Sequence, residues 1–88
     1  MKNKFFVYLI INKNKTSYVG YTKNLKKRLE KHNSSKGAKF TRGRKWILIY
    51  SKGFLNKSEA MKEEHKLKKN YILRKIIKKN SKWIKKYL

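Results

Sequence analysis

Cysteine and aspartate are missing from this 88-residue chain, and only four glutamates stand against 27 lysines and arginines. Without cysteine there is no disulfide framework and no thiolate metal site. The two histidines are too few to close a structural zinc site of four ligands. The carboxylates are Glu30, Glu59, Glu63 and Glu64. A two-metal nuclease centre draws on several convergent carboxylates, which so small a set can hardly assemble. A Ser-His-Asp triad is excluded outright, and no Gly-rich phosphate loop of the P-loop type occurs. No apolar run approaches the roughly 18 residues that span a bilayer. The basic start leads into "FFVYLII", but "NKNKTSY" follows and offers no small-residue cleavage site. An amphipathic strand is expected there, not a targeting segment. The default setting is reducing and cytoplasmic, with no membrane contact.

What the chain does have is positive charge, a formal net +23. Such a balance points to a polyanionic partner, and nucleic acid is the commonest one. A bias toward Lys, Asn and Ile also arises from AT-rich coding, so charge alone does not name the partner. Hydrophobic residues make up 39% and aromatics 14% of the chain, enough for a folded core despite the charge. The length fits one domain, 1–88, with a small core.

Apolar, β-branched and aromatic residues from Phe5 to Ile11 read as a buried strand. "NKNK" reads as a turn, because Asn tolerates left-handed φ. Residues 16–21 are a second β-prone run, so the pair suggests a hairpin. Its alternation puts Tyr8 and Tyr18 on one side of the sheet. Thr22 or Asn24 can cap the helix that follows. In it, Leu25, Arg28, Leu29 and His32 recur at helical spacing, with Arg28 and His32 one turn apart. A loop with two glycines leads to a third strand at "WILIY", residues 46–50. A second helix opens with "GFLNKSEAM", where Asn56 and Glu59 resemble a capping box. Ala60, Met61, Glu64, Leu67 and Lys68 follow helical spacing and should place Ala60 and Met61 toward the core. Beyond it, residues 70–88 form a basic amphipathic helical tail, one broken helix or two with Asn80-Ser81 as the break. The order is β-β-α-β-α plus the tail, an α+β arrangement of helices on a small three-stranded antiparallel sheet.

Taken singly, the polar residues have ordinary explanations. Tyr8 and Tyr18 fit as strand aromatics, Arg28 as a surface cation, and His32 as a charge favouring a helix C-terminus. Glu64 fits as an i,i+4 partner for Lys68, and His65 as a surface residue. Together they form a set. The chain resembles the GIY-YIG nuclease family, particularly its small standalone bacterial members. The matching segments are "VYL" at 7–9, "YVG" at 18–20 and T-x-N-L-x-x-R-L-x-x-H at 22–32. "KGAKFTR" at 36–42 and "SEAMKEEHKLK" at 58–68 complete them. The Gly-Ile of the family name is Phe6-Val7 here.

The resemblance implies a Mg²⁺-dependent endonuclease acting on DNA, with Mn²⁺ a possible substitute and RNA not excluded as a partner. It implies Tyr8 as general base or nucleophile-positioning group, with Tyr18 beside it. Gly20 would allow close backbone approach. Arg28 would grip the scissile phosphate, His32 would orient or relay a proton for the tyrosine, and Glu64 would hold the metal. A Tyr hydroxyl near pKa 10 is a poor base, and the surrounding cations are expected to lower it. Lys36, Lys39, Arg42 and Arg44 are expected along the phosphate backbone, with Phe40 or Trp46 available for stacking and a core role favoured for Trp46. The other readings are a non-catalytic nucleic-acid-binding protein on the same scaffold and a basic RNA- or ribosome-associated protein.

Overall fold

A computed structural model describes residues 3–34, 41, 43 and 45–80. Strand β1 (Phe5–Ile11) forms a hairpin with β2 (Ser17–Thr22), and helix α1 (Leu25–Asn33) follows. Strand β3 (Ile47–Phe54) and helices α2 (Lys57–Lys69) and α3 (Tyr71–Asn80) complete the order. The sheet is antiparallel with β1 in the centre, in the order β2-β1-β3. This is the α+β arrangement that the sequence predicts.

Five consecutive residues of β1, Val7–Ile11, are buried, because helices cover both faces of the central strand. On one face Val7, Leu9 and Val19 pack with Ala60 and Leu67 of α2, and Leu73 and Ile77 of α3 join them. On the other, Tyr8, Ile10 and Trp46 pack with Tyr18, Leu48 and the α1 leucines Leu25 and Leu29. A register shift opposite Leu9/Ile10 puts an extra residue into β3, so Ile49 and Tyr50 both pack toward the α2 side.

The caps explain where the helices begin and end. Asn24, not Thr22, caps α1: its Oδ1 accepts from Lys27 N at 3.1 Å. Asn56 Oδ1 accepts from Glu59 N at 2.9 Å and starts α2. Asn70 serves two helices. Its N–H closes α2 on the Lys66 carbonyl, while its Oδ1 accepts from Leu73 N at 2.9 Å and opens α3. Arg74 then donates through Nη1 to the carbonyls of Leu67 and Lys68, tying α3 to the last turn of α2.

Three sequence expectations differ in detail. Strand β3 runs on to Phe54, because β1 offers pairing partners as far as Phe5, so Gly53 and Phe54 belong to the sheet and not to a helix. The left-handed residue of the hairpin is Lys15, at φ 64°. Asn12 contributes differently: its Oδ1 accepts from Asn14 N and Thr16 N. Met61 is 46% exposed, so Ala60 and Leu67 are the buried face of α2. The tail begins as α3 after Asn70, where the sequence places its start; the suggested break at Asn80-Ser81 and the apolar positions Trp83, Ile84, Tyr87 and Leu88 involve residues outside the described ones.

Because Asn70 caps two helix ends, Asn70→Ala should lower stability by about 1 kcal/mol. In a domain this size that is a drop of roughly 4–8 °C in thermal midpoint. An unchanged melting curve would contradict the double capping role.

Candidate active site

The hairpin places both tyrosines. Tyr8 lies in the middle of β1 and pairs with Gly20 of β2, while Tyr18 pairs with Ile10, so both rings emerge on the α1 side. An added Cβ at Gly20 would sit 2.5 Å from the Tyr8 hydroxyl oxygen and 2.7 Å from Cζ. Glycine is therefore required for the phenol to lie across β2. The two ring centroids are 6.4 Å apart.

Helix α1 brings the other two members. Arg28 Nε donates to the Tyr8 hydroxyl oxygen at 3.3 Å, and the guanidinium also interacts electrostatically with Tyr18. One turn on, His32 is completely buried, with Nε2 2.8 Å from the Tyr8 oxygen and Nδ1 2.8 Å from Thr41 Oγ1. Its ring meets Tyr18 edge-on at 5.1 Å. The end of α1 is latched to the start of β3. Asn33 Oδ1 accepts from Trp46 N at 2.6 Å, and Asn33 Nδ2 donates to Trp46 O at 3.2 Å. The Trp46 indole, itself buried, donates to the Thr41 carbonyl at 2.9 Å.

Electrostatics in this cluster run against two expectations. Burial pushes the Tyr8 hydroxyl above its ordinary pKa, and this outweighs the lowering by the Arg28 hydrogen bond and charge. Tyr8 is thus a protonated phenol near neutrality, not a phenolate prepared by nearby cations. Burial, with Arg28 adding repulsion, lowers His32 to about 4. His32 is therefore neutral at pH 7 and contributes no charge to the helix dipole. Arg28 itself is held more firmly protonated, first by its hydrogen bond to Tyr8.

Glu64 comes from α2. Its side chain is only 18% exposed and pairs with Lys68 Nζ at 3.5 Å. Its charge reaches Tyr8 and raises that hydroxyl's pKa, whereas the charge of Glu63 acts on Tyr50 of β3. The two adjacent glutamates thus serve different surroundings. Among the described residues, no three His, Asp or Glu side chains form a metal cage. A hard divalent ion that keeps most of its waters fits a single carboxylate of this kind. The half-exposed Lys68 is a weak competitor for it. Beside Tyr18, the outer edge of β2 at Ser17–Val19 forms an open cleft of about 290 Å³ with Lys68 and Arg74.

The structure thus brings Tyr8, Tyr18, Gly20, Arg28 and His32 together and sets Glu64 within electrostatic reach. His65 is exposed, as expected. Lys36, Lys39, Arg42 and Arg44, with Phe40, lie outside the described residues. Thr41 escaped the sequence reading, although it sits within "KGAKFTR", because a lone threonine in a basic loop carries no periodic or charge signal.

A hairpin sets two tyrosines beneath an arginine and a histidine of the next helix, with one carboxylate from a later helix in electrostatic reach, and so gathers the polar groups of one candidate site. The model of the GIY-YIG catalytic domain matches residues 4–76, and the chain belongs to that family. A UPF0213 protein of Oceanobacillus iheyensis is 46% identical over 69 residues, covering 77% of this chain and 80% of its own length. A UPF0213 protein of Streptococcus pneumoniae is 44% identical over 70 residues, covering 78% and 71%. The solution NMR structure of an E. faecalis protein superposes with a TM-score of 0.58 at 35% identity, covering 90% of each chain. That of a UPF0213 protein from Bacillus halodurans gives 0.52 at 33%, covering 89% of this chain and 86% of its own.

Two outcomes follow from this geometry. Gly20→Ala should cost about 1–3 kcal/mol in chemical denaturation, because the new methyl group displaces the Tyr8 ring. Wild-type stability in that variant would contradict the close approach. His32 titrates at about 4 when folded, against an ordinary 6.5. The unfolded chain therefore takes up this proton first as pH falls. Its stabilising contribution is complete above pH 6.5 and lost progressively down to about pH 4, by on the order of 3 kcal/mol. His32→Gln should flatten the pH dependence in that window. An equal slope in wild type and variant would show that another group carries it.

Proposed function

We propose that this protein is an endonuclease that hydrolyses DNA phosphodiester bonds with one Mg²⁺ ion, which Mn²⁺ can replace. The observation that carries this reading is the buried Tyr8–His32 hydrogen bond beneath Arg28, with Glu64 the one carboxylate acting on Tyr8. Membership of the GIY-YIG family and the net charge of +23 support a nucleic-acid substrate. A DNA substrate in turn fits a cytoplasmic location.

In this mechanism a water attacks phosphorus from the side of Tyr8. As its oxygen bonds to phosphorus, its proton passes to the Tyr8 oxygen, and the Tyr8 proton passes to Nε2 of neutral His32. Tyr8 is thus a proton relay, which suits a phenol that burial keeps protonated. The P–O3′ bond breaks and the 3′-oxygen takes a proton from solvent; the His32 imidazolium then passes its proton back to the Tyr8 oxygen, which releases one to solvent, so the site is reset with no net gain of protons. Arg28, charged throughout, lies beside both phenols and can neutralise a non-bridging oxygen as charge builds there. A hard divalent ion held by Glu64 would act as a Lewis acid toward the leaving oxygen. Such positioned acid–base groups typically contribute 10²- to 10⁴-fold.

Binding would come mainly from phosphate contacts and carry little sequence information. Lys68 and Arg74, beside the cleft at the β2 edge, offer one track for a strand approaching Tyr18. The loop cations Lys36, Lys39, Arg42 and Arg44 are proposed as a second. A purely binding role on the same scaffold would leave Glu64 only its ion pair with Lys68.

The test is a panel of labelled duplex, single-stranded and branched DNA, with structured RNA alongside, incubated with Mg²⁺. Wild type should cleave at least one DNA form, and Glu64→Ala should lose cleavage at least a hundredfold while still binding. Tight binding with no metal-dependent turnover in either protein would favour the binding module. A preference for uncut structured RNA would favour the RNA-associated reading.

A further inference from the structure

Both ring nitrogens of His32 are hydrogen-bonded to hydroxyl groups. Arg28 Nε–H is an obligate donor, so the Tyr8 oxygen accepts from it. The phenol hydrogen can then lie toward His32 Nε2 at 2.8 Å, an arrangement in which Nε2 is unprotonated. A neutral imidazole with a bare Nε2 carries its hydrogen on Nδ1, and Nδ1 faces Thr41 Oγ1 at 2.8 Å. Thr41 is fully buried, and its carbonyl is held by the Trp46 indole. Trp46 is in turn clamped at its own backbone by Asn33, the residue after His32. The hydroxyl is therefore carried on a frame anchored to the same helix turn as the imidazole it meets.

We propose that Thr41 is a positioning residue of the hydrolytic site: its hydroxyl accepts Nδ1–H and fixes His32 in the tautomer whose Nε2 can take the Tyr8 proton. The opposite tautomer would turn an N–H toward the Tyr8 oxygen and leave no bare ring nitrogen there to take its proton. Partners of this kind set which ring nitrogen is available without touching substrate. The catalytic consequence rests on the proposed hydrolysis, whereas the tautomer itself does not.

The experiment is long-range ¹H–¹⁵N correlation NMR of the histidine side chains in the full chain at neutral pH, with cleavage of labelled DNA in Mg²⁺ as a second readout. His65→Gln separates the two histidine signals. Wild type should show His32 protonated on Nδ1. Thr41→Val, which keeps the shape and removes the hydroxyl, should move His32 toward the Nε2–H form and slow cleavage about tenfold or more, as loss of an orienting partner does. Thr41→Ser should restore both. A wild-type Nε2–H tautomer overturns the proposal, as does a Thr41→Val protein with unchanged tautomer and rate. If Thr41→Val does not fold, the wild-type and Thr41→Ser spectra still decide it. If no variant cleaves any DNA, the hydrolytic reading fails while the spectrum still decides the tautomer.

Discussion

The hydrogen bond between Tyr8 and His32 joins the central strand to the last turn of α1, and much of the fold exists to permit it. Tyr8 can occupy its place only because β2 offers a glycine opposite it. His32 can be buried because the Asn33–Trp46–Thr41 contacts close the end of α1 over it and supply a partner for its second nitrogen. An unpaired buried polar group costs on the order of 1–3 kcal/mol, so each of these partners matters for stability as well as for geometry.

Charge and burial pull in opposite directions in this chain. A net charge of +23 on 88 residues repels itself and opposes compaction. Little of that repulsion is offset by ion pairing: the pair between Glu64 and Lys68 links an exposed ammonium at 3.5 Å. Two apolar layers around β1 carry the stability instead. The consequence for the site is that burial, not the surrounding cations, sets the protonation of Tyr8 and His32. The cations remain suited to holding a phosphate backbone, and Arg28 reaches Tyr8 directly.

Much of this arrangement was legible in the sequence. Periodicity gave the hairpin, the two amphipathic helices and the shared side of Tyr8 and Tyr18. The i,i+4 spacing paired Arg28 with His32. The resemblance to the GIY-YIG family added Glu64, and its separation from Glu63 agrees with the different tyrosines their charges reach. What sequence could not supply depended on tertiary context. The extension of β3 to Phe54 reflects available partners on β1 and not local propensity. The direction of the Tyr8 shift required knowing how much water is excluded. Thr41 became visible only when the fold placed it against His32, and Asn70 only when one residue was found closing α2 and opening α3.

The account turns on Tyr8 as a proton relay in hydrolysis. Its most direct test is single-turnover cleavage of a labelled DNA substrate in Mg²⁺ by wild type and Tyr8→Phe, with binding measured in parallel. The ring is kept and only the hydroxyl is lost. The account predicts that the cleavage rate falls by about 10²-fold or more, within the range of a positioned proton-transfer group, while DNA affinity changes little. Cleavage by Tyr8→Phe at the wild-type rate would contradict it.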